Sequence, residues 1–174
     1  HDRVLTTFGM SESTYFPQVA NTIQGHEGSE PLLGLWRFIP HSAAGGLWTT
    51  AGDLAKAVLG LQMIFAGEDT RLIGRELVAE MTRGSTADKG YGLGLDLERI
   101  GDEFYFGHSG GTPGFATKLI ANSKGQGVAI LTNSSDGDTI VPEIIRSVSH
   151  VYGWPEGNSL QICQPKVKQE EVSS

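Results

Sequence analysis

A chain of 174 residues fits one domain of ordinary size with a real hydrophobic core. The 13 Lys and Arg against 20 Asp and Glu leave a net charge of −7, which argues against a nucleic-acid partner, and no apolar run approaches the ~20 residues of a membrane span. The single cysteine, Cys163, excludes an internal disulfide framework and a Cys-rich zinc site.

The chain opens at His1 with no basic stretch leading into an apolar run. That start reads as the interior of a longer gene product or as the result of processing, so part of an active site is expected to lie outside this sequence. Residues 1–48 are rich in Pro, Gly and Ser yet carry Leu32, Leu33, Leu35, Trp36, Phe38 and Ile39; a wandering, partly helical segment packed on something else is expected. Thr50 followed by Asp53 has the form of a capping box with Asp in place of Glu. Leu54, Val58, Leu61, Gln62 and Phe65 then recur at helical spacing, predicting a helix over about 51–66 that stops near Gly67. Leu77, Val78 and Met81 predict a short helix over about 74–83.

After Gly90 the period changes to two. Residues 91–98 and 103–107 read as strands around a Gly101-Asp102 turn, and 115–122 and 127–133 as two more joined by a hairpin. The run Val128-Ala129-Ile130-Leu131 predicts a strand covered on both faces. Asp138 or Thr139 is expected to cap a last helix, with Pro142 in its first turn and Ile140, Ile144, Ile145, Val148 and Val151 along one face. The expected class is α+β: an irregular and helical part over about 1–88, then a three- to four-stranded antiparallel sheet with a covering helix over about 89–153, all within a segment 1–160, and a polar tail over 161–174.

The richest chemical stretch is Gly107-His108-Ser109-Gly110-Gly111-Thr112-Pro113-Gly114. Gly107-x-Ser109-x-Gly111 matches the nucleophile elbow of α/β-hydrolases, and Asp136 or Asp138 and then His150 follow in triad order. An elbow requires a helix directly after its serine, which Thr112-Pro113-Gly114 blocks. The plain alternative is a Gly-rich turn at a strand end, with His108 hydrogen-bonded near a sheet edge. The third reading is an active-site strand whose small residues leave backbone N–H groups open to a developing oxyanion. His1, His26, His41 and His150 lack metal-ligand spacing. Asp53 reads as a helix-start residue, and Trp36 and Trp48 as packing residues, with an aromatic near Gly45-Gly46 placed to face a substrate.

Five ordered blocks favour the third reading. Phe8-Gly9-Met10-Ser11-Glu12-Ser13-Thr14 resembles the LGM-x-x-T stretch of serine beta-lactamase-related hydrolases, with Phe8 where Leu is usual. Ala43 to Ala55 is similar to their AAGGLWST-x-x-DLA segment, and Tyr91-Gly92-Leu93-Gly94-Leu95 to their YGLGW strand. His108 to Phe115 resembles H-x-G-G-x-x-G-F, and Val128 to Ser134 the core strand that follows it. The superfamily includes class C beta-lactamases, penicillin-binding DD-peptidases, esterases and D-aminopeptidases. The resemblance implies a partial beta-lactamase/transpeptidase-like fold and a Ser of S-x-x-K that forms an acyl-enzyme, with that Lys and a Tyr of Y-x-N moving protons.

The resemblance places His108-Ser109-Gly110 at the family's third motif, K-T-G or H-x-G. It implies a catalytic pair: the backbone N–H of Gly111 as an oxyanion donor, and His108 holding substrate or tuning the proton network. It assigns Ser109, Gly110 and Thr112 to substrate binding, with Ser109 a hydrogen-bonding partner rather than the nucleophile. No Ser in the chain has Lys three residues on, and no Tyr opens Y-x-N or Y-x-S; Thr86-Ala87-Asp88-Lys89 has the spacing with the wrong residue. The expectation is the C-terminal half of a serine hydrolase for a small ester, amide or peptide, inactive alone and needing neither cofactor nor metal. Its expected partner is the N-terminal half of the same protein or a second copy, because an apolar sheet edge and face are left over. A His in place of Lys removes a permanent cation and favours an esterase- or peptidase-like parent. Two alternatives stand beside this: an α/β-hydrolase-like enzyme acting through Ser109, and a non-catalytic binding or assembly module. The sequence leaves the compartment open between exported (periplasmic) and cytoplasmic.

Overall fold

The computed structural model describes residues 3–16, 22–34, 36, 40–69, 72–84 and 90–154. In chain order these form a two-stranded ribbon of β1 (His26–Glu27) and β2 (Glu30–Pro31), then the helices α1 (Ser42–Gly45), α2 (Ala51–Phe65) and α3 (Arg75–Arg83). Strands β3 (Asp96–Ile100), β4 (Glu103–Thr112), β5 (Phe115–Asn122) and β6 (Gly127–Thr132) follow, then a 3₁₀ turn (Gly137–Thr139) and α4 (Val141–Tyr152). The four long strands make one antiparallel sheet in the order β3-β4-β5-β6. The class is α+β.

Alternation along β4 sends successive side chains to opposite faces and so divides the core. Tyr105, with Ile120 and Ile130, packs under Val141 and Ile145 of α4 and under Trp154. Phe104 and Phe106, with Leu97 and Ala121, pack under Val58 of α2. The Phe65 ring stands edge-on to Phe106 at 4.8 Å and to Phe104 at 6.1 Å. Burying a side chain such as Phe106 stabilises by about 1.5–3 kcal/mol relative to exposure. Gln62, on the same helix face, donates to the carbonyls of Asn122 and Gln126 at 2.9 and 2.8 Å and ties α2 to the β5–β6 hairpin.

Several expectations are corrected. Residues 1–48 are partly helical as expected, but only through α1; before it the described residues hold turns and the short ribbon. The strand predicted from Tyr91 begins at Asp96: Gly92 N–H donates to the Leu95 carbonyl, Leu97 N–H to the Gly90 carbonyl, and Gly94 sits at φ +77°, so residues 90–95 curl into a turn. The strand from Glu103 runs to Thr112, well beyond Gly107, so the Gly-rich stretch is ladder and not turn. Neither Asp138 nor Thr139 caps α4; they lie in the 3₁₀ turn, Ile140 occupies the cap position, and Ile140 N–H donates to Gly137 O. Ile144, Ile145 and Val148 face the core as expected, but Ile140 and Val151 are exposed. Among the described residues β6 is an edge strand and only half covered, with Ile130 buried. The helices of about 51–66 and 74–83 agree within a residue with α2 and α3. The Thr86–Lys89 stretch, Cys163 and the polar tail lie outside the described residues.

The N-terminal segment is fastened to α2 by Asp53. Thr50 Oγ1 accepts from Asp53 N–H at 3.1 Å, which is the predicted cap. The Asp53 carboxylate does not complete a reciprocal box. It is fully buried and accepts from Lys56 Nζ at 2.7 Å, Glu12 N–H at 2.7 Å and Ser13 Oγ at 2.8 Å. Lys56 also donates to the Gly9 carbonyl, so the Gly-Met block hangs on this one carboxylate.

The Lys56 hydrogen bond, helped by Ser13 and the Glu12 N–H and opposed by burial, holds the Asp53 carboxyl below its ordinary 3.8. A carboxyl depressed in the fold stabilises it fully above the unfolded pKa and progressively less as pH falls toward the folded one. Asp53→Asn is expected to melt below wild type at pH 7, with the gap in Tm narrowing as pH drops below about 4. Circular-dichroism melts across pH 2–7 check both the gap and its direction.

Candidate functional site

The last rung between β3 and β4 pairs Asp96 with Gly107. Beyond it, residues 108–112 pair with β5 alone, and no described strand covers their other edge. Peptide groups along such an edge still need partners. The edge opens beside a cavity of about 500 Å³ walled by Gly110, Gly111, Thr112 and Thr117 on the sheet, Trp48 and Leu54 at the entry to α2, and Phe115 and Leu131.

Each wall has a local cause. Gly107 lets β4 lie close to β5, because a methyl there would overlap the Leu119 carbonyl. Gly110 faces Thr117 across the ladder, and a methyl there would overlap the Thr117 hydroxyl. Gly111 has open space where a side chain would point. Packing therefore explains the first two glycines and not the third. Trp48 is placed by a two-way backbone bridge to Thr14, each N–H donating at 2.8 Å, and stands edge-on to Trp36 at 5.1 Å and to Phe115 at 5.6 Å. The turn at Pro113-Gly114 is pinned where Gly114 N–H donates to Ser135 Oγ at 2.7 Å.

The structure separates the predicted site residues. Gly110, Gly111 and Thr112 line the cavity. His108 is exposed outside it, with Nε2 3.2 Å from the Tyr91 hydroxyl. Ser109 points to the opposite face, where its Oγ accepts from the buried Lys118 Nζ at 2.9 Å, with Asp96 Oδ2 3.8 Å from the same ammonium. The elbow alternative is overturned: Ser109 sits within an antiparallel ladder, β4 continues three residues past it, and β5 follows the turn where a helix is required. Sequence reasoning missed Tyr91, Lys118 and Thr117. Only the register that sets Ser109 opposite Lys118 and Gly110 opposite Thr117 reveals the last two.

Among the described residues the cavity wall carries hydroxyls at Thr49, Thr50, Thr112, Thr117 and Thr132 and the Asn133 amide, but no ionisable side chain. Such a wall offers apolar contact and backbone donors. It offers no base to activate a hydroxyl.

Comparison with known proteins follows this geometry. Residues 1–151 match the beta-lactamase family. The fold resembles an octameric penicillin-binding protein homologue from Pyrococcus abyssi (TM-score 0.68, 22% identity), covering 91% of this chain and 38% of that one. It resembles the penicillin-binding protein of Bacillus halodurans (TM-score 0.64, 21% identity, 84% of this chain and 47% of that one). It also resembles D-amino acid amidase from Ochrobactrum anthropi SV3 complexed with L-phenylalanine amide (TM-score 0.62, 20% identity, 87% and 50%). The chain spans half or less of the length of these structures. No curated protein matches it. No helix among the described residues is long and apolar enough to cross a membrane.

The glycine geometry fixes the expected response to added methyl groups. Gly107→Ala is expected to destabilise by about 1–3 kcal/mol through overpacking against backbone. Gly111→Ala is expected to leave stability nearly unchanged. Urea unfolding of the two variants beside wild type checks the difference.

Proposed function

The chain belongs to the beta-lactamase family, a hydrolase family, and on that premise we infer that it forms one wall of an acyl-transfer cleft whose serine nucleophile is carried by polypeptide outside this sequence. One observation carries the reading: an open strand edge at 108–112 borders a cavity whose described wall holds no base. Binding surface and backbone donors are in place, and the group that would start the reaction is not. The sequence agrees, with no Ser followed three residues later by Lys.

In this reading the substrate acyl group lies along the open edge. The Gly111 N–H donates to the developing oxyanion, the charge that a preorganised donor stabilises. Gly110 and Thr112 bound the acyl group, and His108 meets it from the outer side. Ser109 acts from the far face by tying β4 to Lys118. His108 is not a permanent cation, and the described cavity wall is uncharged, which favours a neutral ester or amide. The amidase of like fold is in keeping with an amide substrate.

Association with the remainder of the protein, or with a second copy, follows from the same surface. β6 is an edge strand, and Leu33, Phe16 and Val151 are exposed.

The test is hydrolysis of a p-nitrophenyl ester by the 174-residue chain and by the same chain extended by the residues encoded before His1. The short chain is expected to be inert, with Ser109→Ala indistinguishable from it. The extended chain is expected to turn over and to take an acylating probe on a serine of the extension. Turnover by the short chain that Ser109→Ala abolishes, or an extended chain that neither reacts nor acylates, overturns the reading.

A further inference from the structure

We propose that Tyr91 is a positioning residue for His108: its hydroxyl decides which imidazole nitrogen carries the proton. The inference rests on the reading of His108 as a side chain that meets substrate and names the group that prepares it.

The phenol oxygen lies 3.2 Å from His108 Nε2, and the rings stand edge-on with centroids 6.3 Å apart at 61°. The two residues are 17 apart in sequence and come from different elements, the turn before β3 and the free-edge part of β4. The turn that presents Tyr91 is tightly determined. Tyr91 bridges to Asp96, Gly92 N–H donates to Leu95 O at 2.8 Å, and Leu97 N–H donates to Gly90 O at 2.7 Å. Gly92 is pressed against the Met81 carbonyl so closely that any side chain would overlap it, and Gly94 takes a φ of +77°. A half-buried phenol on so constrained a turn holds its oxygen in place. The imidazole it meets is exposed and would otherwise turn freely.

The bond has a preferred direction. A phenol O–H is a strong donor, and the unprotonated nitrogen of a neutral imidazole is a good acceptor. Tyr91 therefore donates to Nε2, and the ring proton is held on Nδ1. An exposed imidazole without such a partner favours the opposite tautomer, with the proton on Nε2. Fixing tautomer and ring orientation before substrate arrives removes a disordered step from the approach to the transition state. The sequence gives no sign of the pair, because Tyr91 belongs to no motif with His108.

The experiment reads the ring nitrogens and not turnover. Multiple-bond ¹⁵N–¹H correlation spectra are recorded on the labelled 174-residue chain at pH 8, with His108 identified among the 5 histidines as the signal absent from His108→Gln. The expected wild-type pattern is the Nδ1–H tautomer, and Tyr91→Phe, which keeps the ring and its packing, is expected to switch His108 to predominantly Nε2–H. A wild-type His108 that is Nε2–H or a mixture overturns the proposal whether or not the variant folds. So does an Nδ1–H pattern that survives in Tyr91→Phe. If the tautomer switches as expected while the extended protein stays inert, the positioning role stands and the functional reading alone fails.

Discussion

The register of β4 against β5 is the constraint on which the site depends. Side chains alternate along a strand, so a slip of one residue would exchange every face. With Gly107 opposite Ile120, the face toward α2 receives His108, Gly110, Thr112 and Thr117, and the face toward α4 receives Ser109 and Lys118. The absence of a side chain at Gly107, beneath the Leu119 carbonyl, permits that approach. The buried aromatic residues enforce it: Tyr105 fills one core and Phe104 and Phe106 the other. Cavity wall, open edge and far-face serine are therefore outcomes of one alignment.

The second wall depends on a buried charge. Asp53 would be costly inside the protein without partners. Lys56, Ser13 and the Glu12 N–H supply them, and the N-terminal stretch and α2 become one unit. Ser13 also shares a hydrogen bond of 2.7 Å with Thr49, next to Trp48. The carboxylate that begins α2 thus helps to set the indole that faces the sheet across the cavity. A residue whose local role is at a helix start takes part in the shape of the cleft through long-range hydrogen bonds.

Much of the fold was legible because its signals are local. The Thr50 cap, the apolar stripe of α2, the Gly101 turn and the Asn122–Gln126 hairpin each depend on residues within one or two turns of chain. The misjudged places are those where a local signal competed with a distant one. The small residues at 109, 110, 111 and 114 end the predicted strand at Gly107, yet β5 offers a complete ladder to 112, and pairing wins. Tyr91 to Leu95 alternate as a strand, yet Gly92 has to approach Met81 closely, and the chain curls instead. The Val128–Leu131 run suggests full burial, but among the described residues its strand is at the sheet edge, which composition does not encode.

The sequence alone determined the α+β order of elements and the lack of an S-x-x-K serine, since each is written in residue types at short spacing. Tertiary structure alone decided that Ser109 faces Lys118 and away from the cavity, that the described cavity wall holds no ionisable group, and that Tyr91 reaches His108. Those outcomes depend on strand register and on contacts between residues far apart in the chain. Register is chosen by the whole core at once, so no single stretch of sequence contains it.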